Sequence, residues 1–147
     1  MKLKKKFVIS VVSVCILLLA GILYVRFKVS AVPWQTACVL QSDNGHFLVA
    51  VQSDAQNTWQ LGTFRIDENI AVTDTDNHPW TEEIKSGQMI EFKQTENIVL
   101  ESYPAQYPSV THVRLIAYDA EEANDIYEKN LARYNDFVSQ TEELRKE

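Results

Sequence analysis

The residues whose types and spacing bear on chemistry fall in two places. Asp74, Asp76, Asn77 and His78 lie within five residues of one another. A calcium loop needs oxygen ligands at alternate positions and a glycine at its sharp turn. Here His78 and Pro79 stand in the wrong places, so the run predicts an ordinary polar loop. His46, His78 and His112 have no metal-ligand spacing, and no second cysteine joins Cys38, which argues against zinc. Ser102 lacks the glycine-flanked elbow that exposes a nucleophile. Glu82 and Glu83 are adjacent and point in different directions, whereas a hydrolytic carboxylate pair must converge on a substrate. The chain has only four glycines and no phosphate-cradling loop. No catalytic residue, cofactor site or metal ligand set is assigned on these patterns.

The second place is the run from Tyr103 to Pro108, which holds Tyr103-Pro104, Gln106 and Tyr107-Pro108. Two aromatic–proline pairs make a rigid, partly apolar surface that loses little entropy on binding and suits a sugar, a peptide or a lipid edge. The competing reading is that the prolines only shape a turn and the tyrosines close a core.

Such a loop needs a scaffold, and the middle of the chain reads as β structure. Thr36–Gln41 and His46–Gln52 are apolar, β-branched runs separated by Ser42-Asp43-Asn44-Gly45, in which Asn-Gly supplies positive φ. Short strands are expected near Trp59–Ile66, Ile70–Thr73, Gln88–Gln94, Ile98–Ser102 and Val110–Tyr118, with one or two helical turns over Trp80–Lys85 ending at Gly87. His112, flanked by strand residues, is expected inside. Many short strands with a long first hairpin predict a mainly β fold, a small OB-like Greek-key barrel over residues 36–118. From Asp119 to Glu147 there is no Gly or Pro, and Asp119 is placed to cap a helix. Tyr127, Leu131, Tyr134, Val138 and Thr141 recur at spacings of four and three, an amphipathic stripe that either packs on the barrel or meets a protein partner.

Ahead of this domain, Phe7–Val25 contains no charged residue. Lys2, Lys4, Lys5 and Lys6 precede it, and Arg26 and Lys28 follow. A helix of that length spans a hydrocarbon core of about 30 Å. The expectation is a cytoplasmic basic tip and signal anchor over residues 1–28, crossing the membrane at 7–27, then a linker over 29–35. The basic flanks place the rest of the chain outside the cytoplasm. The alternative is secretion after cleavage near Ala31. Trp34 is expected at the membrane interface.

Six of the 14 Lys and Arg residues lie before residue 29, and none of the 20 Asp and Glu residues do. The remainder carries 8 basic and 20 acidic residues, a formal charge of −12. Nucleic acid and other polyanions are disfavoured, and neutral or basic ligands or a protein partner fit better. Only Cys38 lies beyond the apolar segment, so the expected exported fold has no internal disulfide and rests on its core.

The stretches Ile84–Phe92, Glu101–Gln106 and Val110–Ile116 resemble the YobA-like family, small exported proteins of Gram-positive bacteria with a domain of unknown function. The specific part is Glu101-Ser102-Tyr103-Pro104-Ala105-Gln106. The resemblance implies an OB-like barrel and brings no catalytic residues. The chain differs from many members in lacking a lipobox and in carrying the long C-terminal helix. Taken together, the sequence predicts a membrane-anchored, non-catalytic binding or assembly module. A cell-envelope hydrolase with dispersed catalytic residues is the alternative. The candidate contact residues are Tyr103, Pro104, Gln106, Tyr107 and Pro108 in the loop, and Tyr127, Leu131, Tyr134 and Val138 on the helix.

Overall fold

The computed structural model describes residues 32–53, 58–96 and 98–146. The expected membrane span and the cleavage position at Ala31 lie outside these residues. Among the described residues no helix is long and apolar enough to cross a membrane.

Trp34–Glu147 form one unit of seven strands and a helix. The strands are β1 (Gln35–Asp43), β2 (His46–Ser53), β3 (Thr58–Arg65), β4 (Ala71–Thr73), β5 (Met89–Gln94), β6 (Ala105–Gln106) and β7 (Val110–Leu115). They lie in one mixed sheet in the order β4-β7-β5-β1-β2-β3-β6. β1, β2 and β3 form a meander of antiparallel pairs, and β5 joins the other edge of β1. β6 runs parallel to β3, and β4 runs parallel to β7. The sheet is not closed, so the expected barrel is replaced by an open sheet whose ends are β4 and β6. Only two residues of β6 pair with β3, and Tyr107–Ser109 separate them from β7.

The long apolar runs of β1 and β2 have a direct structural cause, because both strands are buried on two faces. On one face Ala37, Val39, Phe47, Val49, Val51, Phe64, Ile90, Phe92 and Val113 form the main core. Phe64 sits between Phe47 and Phe92, with ring centroids 5.5 and 5.1 Å away. On the other face Cys38, Leu40, Leu48, Ala50, Leu61 and Met89 are covered by α1 (Ala120–Leu144) through Ala123 and Ile126. Burial pushes the Cys38 thiol up to about 11. Period-two alternation therefore assigns each strand residue to one of two apolar layers rather than to core or solvent.

The turns follow local chemistry. Asn44 and Gly45 both have positive φ, at 47° and 78°, and close the β1–β2 hairpin. Asp119 caps α1 by accepting hydrogen bonds from the backbone N–H groups of Glu121 and Glu122 at 3.0 and 2.9 Å.

Three local expectations are corrected. Trp80–Lys85 is irregular rather than helical, because the Trp80 N–H donates to the Val72 carbonyl and Pro79 bridges to Thr73. Ile98–Ser102 contributes only one bridging residue, Leu100, opposite Gln106. His112 is exposed on the outer face of β7, with its ring 6.5 Å from that of Trp34.

Candidate functional site

Tyr107, one of the expected contact residues, is only 5 % exposed. Its ring stands edge-on to Phe92 at 5.1 Å, and burial raises its phenol above the ordinary range. The seat is made by Gly62 on β3. A Cβ there would clash with the edge of the Tyr107 ring, so the absence of a side chain at Gly62 is what admits the tyrosine. The Tyr107 N–H donates to the Thr63 carbonyl at 2.9 Å, which fixes the loop backbone on the strand. Tyr107 is thus the root of the loop, not its tip, and the reading in which it closes a core holds for this residue.

The tip is Tyr103, which is 48 % exposed. The Tyr103–Pro104 peptide is cis, and the Ser102 hydroxyl donates to the Pro104 carbonyl at 2.7 Å. Gln106 and Pro108 are exposed, and Pro104 is half-buried. The tyrosine ring meets Phe137 of α1. The two regions read from sequence as alternative surfaces, loop and helix, therefore touch.

They also frame one groove. A cavity of about 770 Å³ is lined by Gln106, Tyr107 and Pro108 from the loop and by Tyr134 from α1. Its remaining wall includes Asp43 and His46 at the β1–β2 turn, Arg65 at the end of β3, and Asp67 and Asn69 beyond it. The groove thus has an aromatic side and a side of mixed charge, a combination that orients a polar ligand against a flat apolar surface. Sequence reasoning assigns none of Asp43, His46, Arg65, Asp67 and Asn69 to a binding surface. Their only signal is that they sit in two turns, and nothing in the spacing brings those turns together. Of the helix candidates, Tyr134 lines the groove. Tyr127 and Tyr134 also pack against the core beneath the helix, and Leu131 and Val138 are half-buried.

The Asp74–His78 run closes on itself. Asp74 Oδ1 accepts the N–H groups of Asp76 and His78 at 2.8 and 2.9 Å, and its Oδ2 meets His78 Nδ1 at 3.1 Å. The His78 backbone N–H, above all, holds the Asp74 carboxyl below the usual range; the His78 ring and the Asp76 N–H add to this. The ligand-type atoms of Asp74, Asp76 and His78 lie within 4.8 Å of one another. Asp74 already spends both oxygens inside the turn, which is the behaviour expected of a polar loop.

Trp34 lies against the domain. The Arg114 guanidinium sits 4.2 Å from its ring centroid and is also held by Glu91, at 2.6 Å through Nε and 2.5 Å through Nη2. This cation–π stack gives the indole a partner within the domain.

Comparison of the chain with protein-family models, with curated proteins and with solved structures finds no match.

Proposed function

We propose that this chain is a membrane-anchored module that acts outside the cytoplasm by binding and carries out no catalysis. The observation that carries the reading is the groove. It gathers the Gln106–Pro108 loop, Tyr134, the polar turn of the first hairpin and the polar segment that follows β3 into one concave surface of about 770 Å³. Flat apolar groups beside hydrogen-bonding side chains fit neutral glycan or peptide ligands. The formal charge of −12 beyond residue 28 favours neutral or basic ones over polyanions. The anchor rests on the apolar Phe7–Val25 run and its basic flanks.

The strand arrangement supports an OB-like Greek key. A three-strand meander is followed by a strand on the far edge of β1, and β6, parallel to β3, leads within three residues into β7 beside β5. Fold likeness alone selects no ligand, so the proposal rests on the groove.

A photo-crosslinking side chain placed at Gln106 in membrane-embedded protein tests the binding reading. Capture is expected at Gln106 and is lost when Tyr134→Ala is added. Capture that is indifferent to Tyr134 overturns the groove as the contact surface. A cysteine placed at Ser53 tests the anchor. It is expected to react with a membrane-impermeant thiol reagent on intact cells, and reaction only after permeabilisation contradicts the assigned orientation.

A further inference from the structure

We propose that the backbone edge at Ile98–Glu101 takes up an extended, basic peptide as an added β-strand. This surface adjoins the groove at Gln106, on the far side of Leu100, and recognises main chain rather than side chains. Leu100 and Gln106 exchange both backbone hydrogen bonds, Leu100 N–H to Gln106 C=O at 2.9 Å and Gln106 N–H to Leu100 C=O at 3.2 Å. That pair continues the sheet one position beyond β6. In an antiparallel ladder, the neighbours of a hydrogen-bonded residue present their own N–H and C=O groups to the opposite side. Those neighbours are Val99 and Glu101. Among the described residues, no hydrogen bond engages the backbone groups of either. The other end of the sheet is covered, because Trp80 N–H and Pro79 lie against β4.

The side chains at this open edge are those of a strand awaiting a partner. Ile98, Val99 and Leu100 are 43 %, 41 % and 47 % exposed, three consecutive apolar residues in water. Two of them are β-branched, and the segment carries neither the lysine nor the proline that blunts a free edge. Charge chooses the occupant. From Gln94 to Ser109 the chain carries Glu96 and Glu101 and no Lys or Arg. A second copy would bring two acidic edges and two acidic domains together. A strand with apolar residues in its middle and Lys or Arg at its ends satisfies the free backbone groups and the two glutamates together.

The test uses the whole chain in mild detergent and a fluorescein-labelled peptide KTVTVTK, blocked at both ends, read by anisotropy. Saturable binding is expected. It should weaken at least tenfold for ETVTVTE, and at least tenfold again for KTVTVTK N-methylated at alternate central residues, which cannot donate to the edge. Val99→Pro removes the outward N–H and should cost at least tenfold with the melting temperature kept. Should that variant fail to fold, the N-methylated peptide puts the same question to the unmodified protein. Glu101→Lys should reverse the preference between the two peptides. The proposal is overturned by absence of saturable binding, by equal binding of the basic and acidic peptides, or by indifference to N-methylation. It is also overturned if sedimentation shows the chain paired with itself through this edge, with Val99→Pro restoring the monomer.

Discussion

The ring of Tyr103 meets the ring of Phe137 edge-on, with centroids 4.6 Å apart and planes at 73°. One residue is the tip of a proline-flanked loop and the other lies in the distal half of α1. The contact therefore joins the helix to a part of the chain other than the strands beneath it. An edge-to-face pair of this geometry contributes about 0.5–1.5 kcal/mol beyond the area it buries. A double-mutant cycle of Tyr103→Ala and Phe137→Ala, read by denaturant unfolding, should give a coupling energy in that range. Additive effects would show that the loop and the helix are energetically independent.

The seat of Tyr107 gives a sharper prediction. Gly62→Ala drives a methyl group against the edge of the Tyr107 ring, which also packs edge-on against Phe92. Overpacking of this kind costs about 1–3 kcal/mol. The melting temperature should fall, and Gly62→Ala combined with Tyr107→Leu should lose less than the two single changes added together. Full additivity would place the ring away from Gly62.

Much of the scaffold was legible because its causes are local. Apolar runs rich in β-branched or aromatic residues marked β1, β2, β5 and β7. Asn44-Gly45 marked the first turn, and Asp119 marked the start of α1. Trp80–Lys85 misled because Glu82, Glu83 and Lys85 favour helix, while a single backbone bond from Trp80 to Val72 holds the start of that segment against β4. Tyr107 misled because an aromatic residue beside proline looks the same whether it faces water or a core. Gly62 was the available signal, since a glycine inside a strand marks close approach by something else. The identity of that something is a contact across 45 residues, and periodicity does not encode it. The polar wall of the groove was illegible for the same reason. His46 and Asp67 share it only because β2 and β3 pair in register, His46 opposite Arg65.

The Asp74–His78 turn responds to acid. The Asp74 carboxyl is held below its ordinary value, so the folded turn binds fewer protons than the unfolded chain as pH falls through the normal aspartate range. Its contribution is present above that range and is lost as pH drops through the lowered folded value. By carboxyl NMR, Asp74 should titrate at lower pH than the same residue in an unfolded peptide, and His78→Ala should move it upward by removing the ring contact. The backbone N–H bonds survive that change, so the shift should be partial. An Asp74 that titrates as in the peptide would mean the turn is open in solution.

Asn130 is the polar residue in the layer between helix and sheet, 4 % exposed near Ala123 and Ile126. Its amide donates to the Ile126 carbonyl at 2.7 Å, and its oxygen accepts from Arg133 Nη1 at 3.3 Å. The same Arg133 nitrogen reaches across to the Trp59 carbonyl on β3 at 2.8 Å. The chain of contacts runs from inside the helix to the edge of a particular strand, so it favours one position of α1 over a slip along an apolar face. Specificity and stability then separate. Asn130→Ala should cost about 2–4 kcal/mol by removing one hydrogen bond to a neutral carbonyl and one to the charged Arg133. Asn130→Leu fills the same volume with apolar atoms and should leave the melting temperature unchanged or raised. If Asn130 sets the register, the leucine variant should nonetheless show faster amide exchange in the distal half of α1 and a weakened Tyr103–Phe137 coupling. A leucine variant that is stable and keeps the native coupling would remove Asn130 from any positioning role and leave it as a tolerated polar residue.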